Sequence, residues 1–376
     1  MKSLSLFALA ALCVVACAPQ QKNDEAPLNI VQVPIPATGT VDFDTLFEVQ
    51  HVVVPELTEA TTIKSPYLPY FTDSLVIIFD DVLQRIFVFD MQGKYLHDIG
   101  QKGEGQEQFV KLNHVVVANG KVYAFDKEGQ KMLTYGVDGQ LISVTPSAFN
   151  FNSFAKADNG FWLCACTKES NPNGYNLIHA DETLQDTIAC FFPQHPDFVN
   201  VEWGTNFIIH SNEALFHSPS SNVIYRLKGD EVTPFLTIDL GKNTPNYVYI
   251  SRLATRTAYT EYMEQNKYYR MFFPHSCGNF ITFEYERYVV TDFASPSFAY
   301  YNTATGKLVA IPTKAESVGA DPLLGKSFGI GETDDCIILC NYIGYDAETQ
   351  AYLKEKYGIE AQMGSNPAII LAKPKL

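Results

Sequence analysis

Short apolar runs separated by turn residues make up most of the chain. Runs such as LVIIFD, RIFVFD, KVYAFD, GFWLCA and CIILCN are four to six residues long, and they are either fully apolar or alternate apolar with polar positions. Runs this short, bounded by Gly, Asn, Asp or Pro, are typical of strands, because amphipathic helices need longer segments. The pattern predicts an all-β protein with few helices.

The strand-like runs recur as a repeated unit. The runs assigned as the second strand of each unit begin at Leu75, Val122, Phe161, Ala214, Tyr288 and Cys336. Most intervals are about 40 to 50 residues, and each unit can be completed with one strand before and two after, which is the signature of β-propeller blades. In the second unit, Asn119-Gly120 and Asp138-Gly139 are good hairpin turns. The repeats predict six blades of four antiparallel strands.

Strands from both ends of the predicted propeller domain, 47–376, are expected to form one blade together. The last unit has only three obvious strands after Phe328, whereas the run from Phe47 to Leu57 precedes the first unit without partners of its own. If this run supplies the outer strand of the sixth blade, the ring closes and no strand edge stays unpaired. We therefore predict a six-bladed β-propeller in which the N-terminal strand closes the last blade.

Two segments interrupt the β pattern with helix-forming composition. The first is an insertion at about 243–270, inside the longest interval between units. The second is DAETQAYLKEKYG, in which Asp346 is a plausible N-cap and Gly358 a plausible C-terminal glycine. Loops of this length are uncommon unless they serve a function. We expect both segments to lie on the rim or on a face of the ring.

The first residues have the pattern of a bacterial export signal. An apolar run from Leu4 to Val15 is too short to span a membrane, and Val14-Val15-Ala16-Cys17 resembles the lipobox of bacterial lipoproteins. The resemblance implies a signal peptide at 1–16, acylation of Cys17 and a lipidated tether at 17–46. We expect an outer-membrane lipoprotein of the cell envelope, periplasmic or surface-exposed, that contacts the membrane through this anchor; the alternative is an ordinary secreted protein with a chance cysteine.

The charge of the chain restricts its partners. The formal net charge is −15 at pH 7, from 42 acidic and 27 basic side chains, and no cluster of Lys and Arg interrupts the acidic excess. Nucleic acid and anionic membrane surfaces are therefore poor partners. Aromatic residues make up 13% of the chain and apolar residues 46%, which indicates a folded protein with a large core.

The stretch FVFDMQGKYLHDIGQKGEGQEQF, residues 87–109, contains Gly100, Gly103 and Gly105. A dinucleotide-binding fingerprint needs a glycine where Gln108 stands and a helix after it, so we interpret the glycines as a corner between blades, where positive φ is often needed. The stretch resembles a signature of the six-bladed β-propeller lipoproteins of gut Bacteroidales, which are similar to NHL-repeat propellers. Residues 222–241 resemble a second signature of that family. The resemblance covers 47–376 and implies the fold, but no reaction.

Motifs that mark a catalytic or metal site are absent from the sequence. It contains no GxSxG or HExxH, its eight histidines are scattered singly, and its cysteines form no zinc set. Aspartates recur after second or third strands, at Asp80, Asp90, Asp126 and Asp292. They either cap turns or gather around Ca²⁺ in the channel, as in some propeller lactonases. We expect turn caps and no cofactor, with Ca²⁺ as the alternative. Most cysteines after Cys17 are interpreted as small buried residues, and a disulfide is possible.

Candidate binding residues come from the loops that enter each inner strand. Propeller sites generally lie at the axis, on the face formed by these loops and by the loops joining second to third strands, which we call the loop face. Aromatic rings beside Arg and His can stack on and hydrogen-bond a sugar or peptide, or they can pack the insertion onto the ring. The candidates are Lys102, His114, His195, Trp203, Tyr247, Arg252, Tyr269 and Arg270, with Tyr268 beside them.

Three functions fit these features. The first is a non-catalytic, lipid-anchored platform whose loop face binds a sugar, a peptide or an envelope protein, because a ring of blades offers a rigid surface. The second is a propeller hydrolase or lyase, similar to lactonases, with a cation at the axis. The third is a structural component of an outer-membrane assembly, which would expose a large apolar patch. We favour the first and expect binding without catalysis.

Overall fold

The structure, a computed structural model, describes residues 29–37, 41–165, 174–193, 206–210, 213–218, 221–250, 252–253, 255–289, 297–312, 323, 327–345 and 347–375. Its strands are, in chain order, β1 (Ile30–Gln32), β2 (Phe47–Val53), β3 (Pro66–Phe71), β4 (Leu75–Asp80), β5 (Arg85–Asp90), β6 (Tyr95–Ile99), β7 (Leu112–Ala118), β8 (Lys121–Asp126), β9 (Lys131–Gly136), β10 (Leu141–Pro146), β11 (Ser153–Ala157), β12 (Gly160–Cys164), β13 (Tyr175–Ala180), β14 (Thr187–Pro193), β15 (Phe207–His210), β16 (Glu213–His217), β17 (Val223–Lys228), β18 (Glu231–Asp239), β19 (Tyr269–Cys277), β20 (Phe280–Arg287), β21 (Ser297–Asn302), β22 (Leu308–Pro312), β23 (Ser327–Glu332), β24 (Ile337–Asn341) and β25 (Ala368–Pro374). The helices are α1 (Phe43–Leu46), α2 (Tyr247–Ile250), α3 (Arg256–Gln265) and α4 (Ala347–Tyr357).

The strands form the six blades of a β-propeller. Blades 1, 2 and 3 are the antiparallel sheets β3 to β6, β7 to β10 and β11 to β14. Blades 4 and 5 contain β15 to β18 and β19 to β22, and blade 6 contains β23, β24, β25 and β2. The first strand of each blade is its inner strand, and neighbouring inner strands contact one another around the axis, as β3 does with β23 and β7 with β11. The predicted all-β, six-bladed fold is confirmed.

The N-terminal strand closes the ring as predicted. β2 pairs antiparallel with β25, with Phe47 opposite Pro374 and Val53 opposite Ile369. Lys375 also donates its backbone N–H to the carbonyl of Leu46 at 2.8 Å. The sixth blade is therefore built from both ends of the domain, and its outer strand is the first strand of the ring.

A second N-terminal strand joins blade 4. β1 lies parallel to β18, with Ile30 opposite Thr237, and the side chains of Val31 and Val33 are buried against the blade. These residues lie within the predicted tether 17–46, where the sequence pattern predicts no strand. In residues 29–37 the chain is thus packed on the outer edge of the propeller.

Apolar side chains fill the spaces between neighbouring blades. Between blades 1 and 2, Phe79 and Ile86 pack against Val115 and Leu133, and none of the four is more than 1% exposed. Burying one side chain of this size stabilises the fold by about 1.5–3 kcal/mol. Because every blade is apolar on both faces, the strands appear in the sequence as short, nearly continuous hydrophobic runs.

Both predicted helical segments contain helices. In the insertion, α3 follows Thr255, whose hydroxyl accepts a hydrogen bond from the backbone N–H of Ala258 at 3.1 Å. α4 is followed by Gly358, whose φ of 68° suits the glycine after a helix end. Asp346, the predicted N-cap of α4, lies outside the described residues. No helix in the described ranges is long and apolar enough to cross a membrane.

One strand was misplaced by the sequence analysis. The second strand of blade 5 is β20, which ends at Arg287, so the assignment of that strand to the run beginning at Tyr288 is wrong. The reason is that β20 contains the acidic residue Glu284, which is only 9% exposed. A buried acidic residue made the strand look less apolar than the run that follows it.

The glycine-rich stretch is a corner between blades 1 and 2, as predicted. Gly100 directly follows β6 and has a φ of 73°. The side-chain oxygen of Gln108 accepts a hydrogen bond from the backbone N–H of Gly105 at 3.0 Å. A Cβ atom at Gly103 would stand 2.1 Å from the same oxygen. The glutamine side chain thus fills the loop interior, which leaves no cradle for a phosphate.

The cysteines differ in state. Cys164 is disulfide-bonded, in agreement with the possibility of a disulfide. Cys277, Cys336 and Cys340 are buried thiols, and burial raises the pKa of all three. A raised pKa keeps a thiol protonated and unreactive, so these residues act as small core side chains.

Candidate binding pocket at the propeller axis

The carboxylate of Asp80 caps the loops around it. It is fully buried, and its Oδ2 accepts hydrogen bonds from the backbone N–H groups of Lys64 and Ser65 at 2.6 and 3.0 Å. Its Oδ1 accepts from those of Val82 and Leu83 at 3.1 and 2.7 Å. The loop that enters blade 1 and the turn after β4 are thus fastened to one side chain.

The other aspartates of this series have similar contacts. Asp126, at the equivalent position in blade 2, accepts from the backbone N–H groups of Val110, Lys111 and Gly129. Asp90 accepts from two N–H groups of its own turn, and Asp292 lies outside the described residues. Across the described ranges, no group of three or more His, Cys, Asp or Glu side chains could hold a metal ion. The geometry supports the capping interpretation.

A cavity of about 260 Å³ lies at the axis, between the inner strands of blades 1, 2, 3, 4 and 6. Its aromatic walls are Tyr70, Phe71, Phe154 and Phe207. Thr333 and the exposed Asp334 border it beside the turn between β23 and β24. We call this end of the ring, which carries the turns between first and second strands, the turn face. The cavity therefore opens on the face opposite to the predicted loop face.

Bulges shape the neighbouring inner strands of blades 5, 6 and 1. The register shifts at Leu68-Pro69 in β3 and at Phe273-Pro274 in β19, where Leu68 and Phe273 have φ of 45° and 47°. In β23 the shift falls between Gly329 and Gly331. Bulges redirect the next side chain, and proline is tolerated because an inner strand is a sheet edge. The polar side chains that follow the three bulges are Tyr70, His275 and Glu332.

Two of these side chains form a buried pair. Nδ1 of His275 lies 2.7 Å from Oε2 of Glu332, and the side chains are only 5% and 10% exposed. Gly329 makes room for the imidazole, since a Cβ atom there would stand 2.7 Å from Cδ2 of His275. Burial and then the Glu332 carboxylate raise the pKa of Tyr70. Its hydroxyl stays protonated and donates to the carbonyl of Val115 at 2.9 Å.

Glu284 lies on the blade 5 side of this pair. It borders a small cavity of about 20 Å³ together with His275, Thr282 and Tyr300. Burial raises the pKa of Glu284 to about 7, although His275 opposes the shift. A carboxyl group of this kind is partly protonated at neutral pH, which lowers the cost of burying it.

His114 is the most buried polar side chain of the axial cavity. It is 2% exposed, and burial lowers its pKa to about 3, so the imidazole is neutral. The backbone N–H of Phe154 donates to Nδ1 at 3.4 Å, which leaves the proton of the neutral ring on Nε2. Within the described part of the chain, Nε2 has no hydrogen-bond partner. The cavity thus contains a hydrogen-bond donor without an acceptor.

The predicted site residues are not gathered in one place. His114 lines the axial cavity, whereas Lys102 and Arg252 are exposed on loops. His195 and Trp203 lie outside the described residues. Of the candidates that the structure describes, only His114 borders the cavity.

The aromatic candidates near the insertion have packing contacts. Tyr247 packs with Ile250 and Met263 in a cluster beneath the helices of the insertion. Tyr269 and Arg270 begin β19, and the Arg270 guanidinium pairs with Glu286 at 2.5 Å. The Tyr247 contacts match the alternative that such residues hold the insertion on the ring, whereas Arg270 pairs within blade 5.

A signal for the cavity was present in the sequence but was not used. Leu68-Pro69-Tyr70 and Phe273-Pro274-His275 both place a proline inside a strand-like run, followed by a ring-bearing side chain. Proline within a strand indicates an edge or a bulge, and the inner edge of a blade faces the axis. The acidic residue that completes the cluster, Glu332, follows the two glycines of FGIGE.

The comparisons with known proteins agree with this architecture. The model of the family described as "Domain of unknown function (DUF4934)" matches residues 37–372. Among solved structures, the chain is similar to a Bacteroides fragilis protein that is described as exported. The two share 16% identity, with a TM-score of 0.76 over 93% of this chain and 100% of that one. It is also similar to a member of the DUF4221 family from Bacteroides vulgatus, with 10% identity and a TM-score of 0.54 over 88% and 98%. At these identities the similarity shows the fold, and no curated protein matches the sequence.

Proposed function

The chain belongs to the family described as "Domain of unknown function (DUF4934)", and from this premise we propose that it is a cell-envelope propeller that binds a small ligand in its axial cavity without converting it. The observation that carries the proposal is the cavity itself. Inner strands of five blades enclose about 260 Å³, and concave sites with apolar walls and a few polar groups are typical of ligand binding.

Features of the cavity favour binding over catalysis. Tyr70 is held protonated and already donates to a backbone carbonyl, and His114 is a neutral donor. A lactonase-like site would need a set of oxygen or nitrogen ligands for a cation, and the described ranges contain no such set. Aromatic walls with fixed polar groups serve recognition.

The location is part of the proposal. The lipobox-like sequence ending at Cys17 supports export and acylation, which would hold the propeller on a membrane outside the cytoplasm. In cells that express the full chain, Cys17→Ser should release the protein from the membrane fraction. A variant that stays membrane-bound at wild-type level would contradict lipid anchoring through Cys17.

Thermal melting of the chain from residue 17 onward, carrying Cys17→Ser, tests the binding function. A ligand that binds only the folded state raises the melting midpoint by mass action. We expect at least one compound from pools of amines, sugars and short peptides to raise the midpoint. The matched variant Val117→Phe, which places a larger side chain in the cavity wall, should abolish the rise.

Two outcomes contradict this function. A midpoint that rises equally in Val117→Phe would show binding elsewhere on the ring. A midpoint that falls by several degrees in EDTA and returns with Ca²⁺ would instead support the cation-dependent hydrolase or lyase.

A further inference from the structure

The charges around the axial cavity disfavour anionic ligands. Glu332 and Asp334 border it, and the lining residues that the structure describes include no Lys or Arg. His275 pairs with Glu332 and not with Asp334, so the Asp334 carboxylate at the cavity rim is available to a ligand. A carboxylate or phosphate on the ligand would be repelled, whereas an ammonium group would be attracted.

The walls of the cavity add a second preference for cations. Tyr70, Phe71, Phe154 and Phe207 surround the space, and an organic cation that leaves water is attracted to aromatic faces. The rings also provide apolar contact for the carbon part of the ligand. An ammonium group on a short apolar body fits both the rings and the carboxylates.

The third requirement comes from His114. Its Nε2–H has no acceptor among the described residues, and leaving a buried donor unpaired is unfavourable. The neutral imidazole carries no charge that would attract an anion. A neutral acceptor on the ligand, a carbonyl or hydroxyl oxygen, would satisfy this donor.

The volume limits the size of the ligand. A space of about 260 Å³ corresponds to roughly nine water-sized groups, at about 30 Å³ for each water molecule in the liquid. A cavity of this volume can hold one amino-acid residue or one monosaccharide, but not a folded segment or an oligosaccharide.

Resting on the proposed binding function, we infer that the axial cavity binds small organic ammonium compounds that carry a neutral acceptor oxygen. The ammonium group lies at Asp334, the oxygen accepts from Nε2–H of His114, and the carbon body contacts the aromatic walls. Two sources offer this chemistry: an amino-acid amide, as at the N-terminus of a peptide, and an amino sugar.

Calorimetric titration with four probes tests the inference on the chain from residue 17 onward with Cys17→Ser. The probes are leucinamide, glucosamine, N-acetyl-leucinamide and leucine. We expect leucinamide or glucosamine to bind with one site per chain, and the tighter of the two identifies the source. Acetylation removes the ammonium charge, so N-acetyl-leucinamide should bind at least tenfold more weakly than leucinamide. Leucine should also bind at least tenfold more weakly, because its free carboxylate is repelled.

Matched variants locate the site. Asp334 is exposed, so Asp334→Asn should fold normally and weaken the ammonium probes about tenfold. Asp335→Asn changes the neighbouring carboxylate in the same turn, which does not line the cavity, and should change affinity less than twofold. His114→Phe keeps an aromatic ring in place but removes the Nε2–H donor, so it should weaken the binding of leucinamide. The melting midpoint of this variant checks that it folds.

The outcomes separate this inference from the proposed function. Equal binding of leucinamide and its acetylated form, or equal effects of Asp334→Asn and Asp335→Asn, would overturn the ammonium preference and leave the binding function standing. The ammonium preference is also overturned, and the binding function stands, if none of the four probes binds but another compound does and Val117→Phe abolishes its binding. If no compound binds the wild-type chain, both proposals fall.

Discussion

The buried carboxylate of Asp80 provides the sharpest test of how the blades are held together. Its two oxygens accept four backbone N–H groups, two on each oxygen. In Asp80→Asn one oxygen becomes an NH₂ group, so in either orientation two backbone N–H groups lose their acceptor and face another donor. Losing two hydrogen bonds to a charged group should cost about 3–5 kcal/mol of unfolding free energy.

Asp90 supplies the matched control. Both of its hydrogen bonds, from the N–H groups of Gln92 and Lys94, end on Oδ1, and asparagine retains an oxygen that can accept them. Because this turn is at the surface, Asp90→Asn should change stability by less than about 0.5 kcal/mol. Both substitutions remove one negative charge, but only Asp80→Asn removes the acceptor of buried N–H groups. A difference in stability between the two variants therefore measures the lost hydrogen bonds and not the lost charge.

Urea unfolding followed by circular dichroism measures both variants, and thermal melting provides a second reading. For a ring of this size, 4 kcal/mol corresponds to a fall of about 6 °C in the melting midpoint, at about 2.1 cal/mol/K of unfolding entropy per residue. The reasoning is refuted if Asp80→Asn and Asp90→Asn differ by less than 1 kcal/mol. If EDTA lowers the wild-type midpoint as much as Asp80→Asn does, Asp80 serves as a metal ligand and not as a cap.

Three further predictions concern the axis and the N-terminus. Gly329→Ala should cost about 1–3 kcal/mol in urea unfolding, because its methyl group would collide with the His275 ring; a neutral result would mean that the imidazole can move. Because the folded pKa of His114, about 3, lies below its unfolded value of about 6.5, stability should fall as pH drops from 6.5 towards 3, by about 1 kcal/mol between pH 6.5 and 5.5. His114→Phe should remove this part of the pH dependence, and an unchanged profile would assign it to other groups. Removing residues 1–40, which deletes β1, should lower the melting midpoint by a few degrees relative to a chain starting at residue 29, and equal midpoints would show that β1 adds no stability.

The sequence was sufficient for the architecture because blade strands are local, regularly spaced and apolar. Closure by β2 could be predicted from an unmatched strand at each end of the domain. β1 was missed because three residues carry little pattern, and the alternation of Val31 and Val33 was read as part of the tether. Its pairing with β18 is a long-range, parallel contact that no local signal specifies.

The site was predicted less well, for a physical reason. Long loops rich in aromatic residues and arginine are predicted as the site, but aromatic residues also pack helices onto a ring, as Tyr247 does. The cavity is formed instead by bulges in inner strands, where Tyr70 and Glu332 look like ordinary strand residues. Which side chain a bulge turns inward depends on the neighbouring blade, and that information is not local.

Closure of the ring by β2 and β25 has a consequence for the order of folding. Phe47 pairs with Pro374, so the final contact joins residues more than 300 positions apart, at a loop-closure cost of about 5 kcal/mol by the (3/2)RT ln n relation. Blade 6 cannot be completed before the C-terminal strand has been synthesised. A chain that ends before Ala368 would leave β24 and β2 with open edges, and unpaired strand edges favour aggregation. Strand β25 therefore determines whether the ring closes.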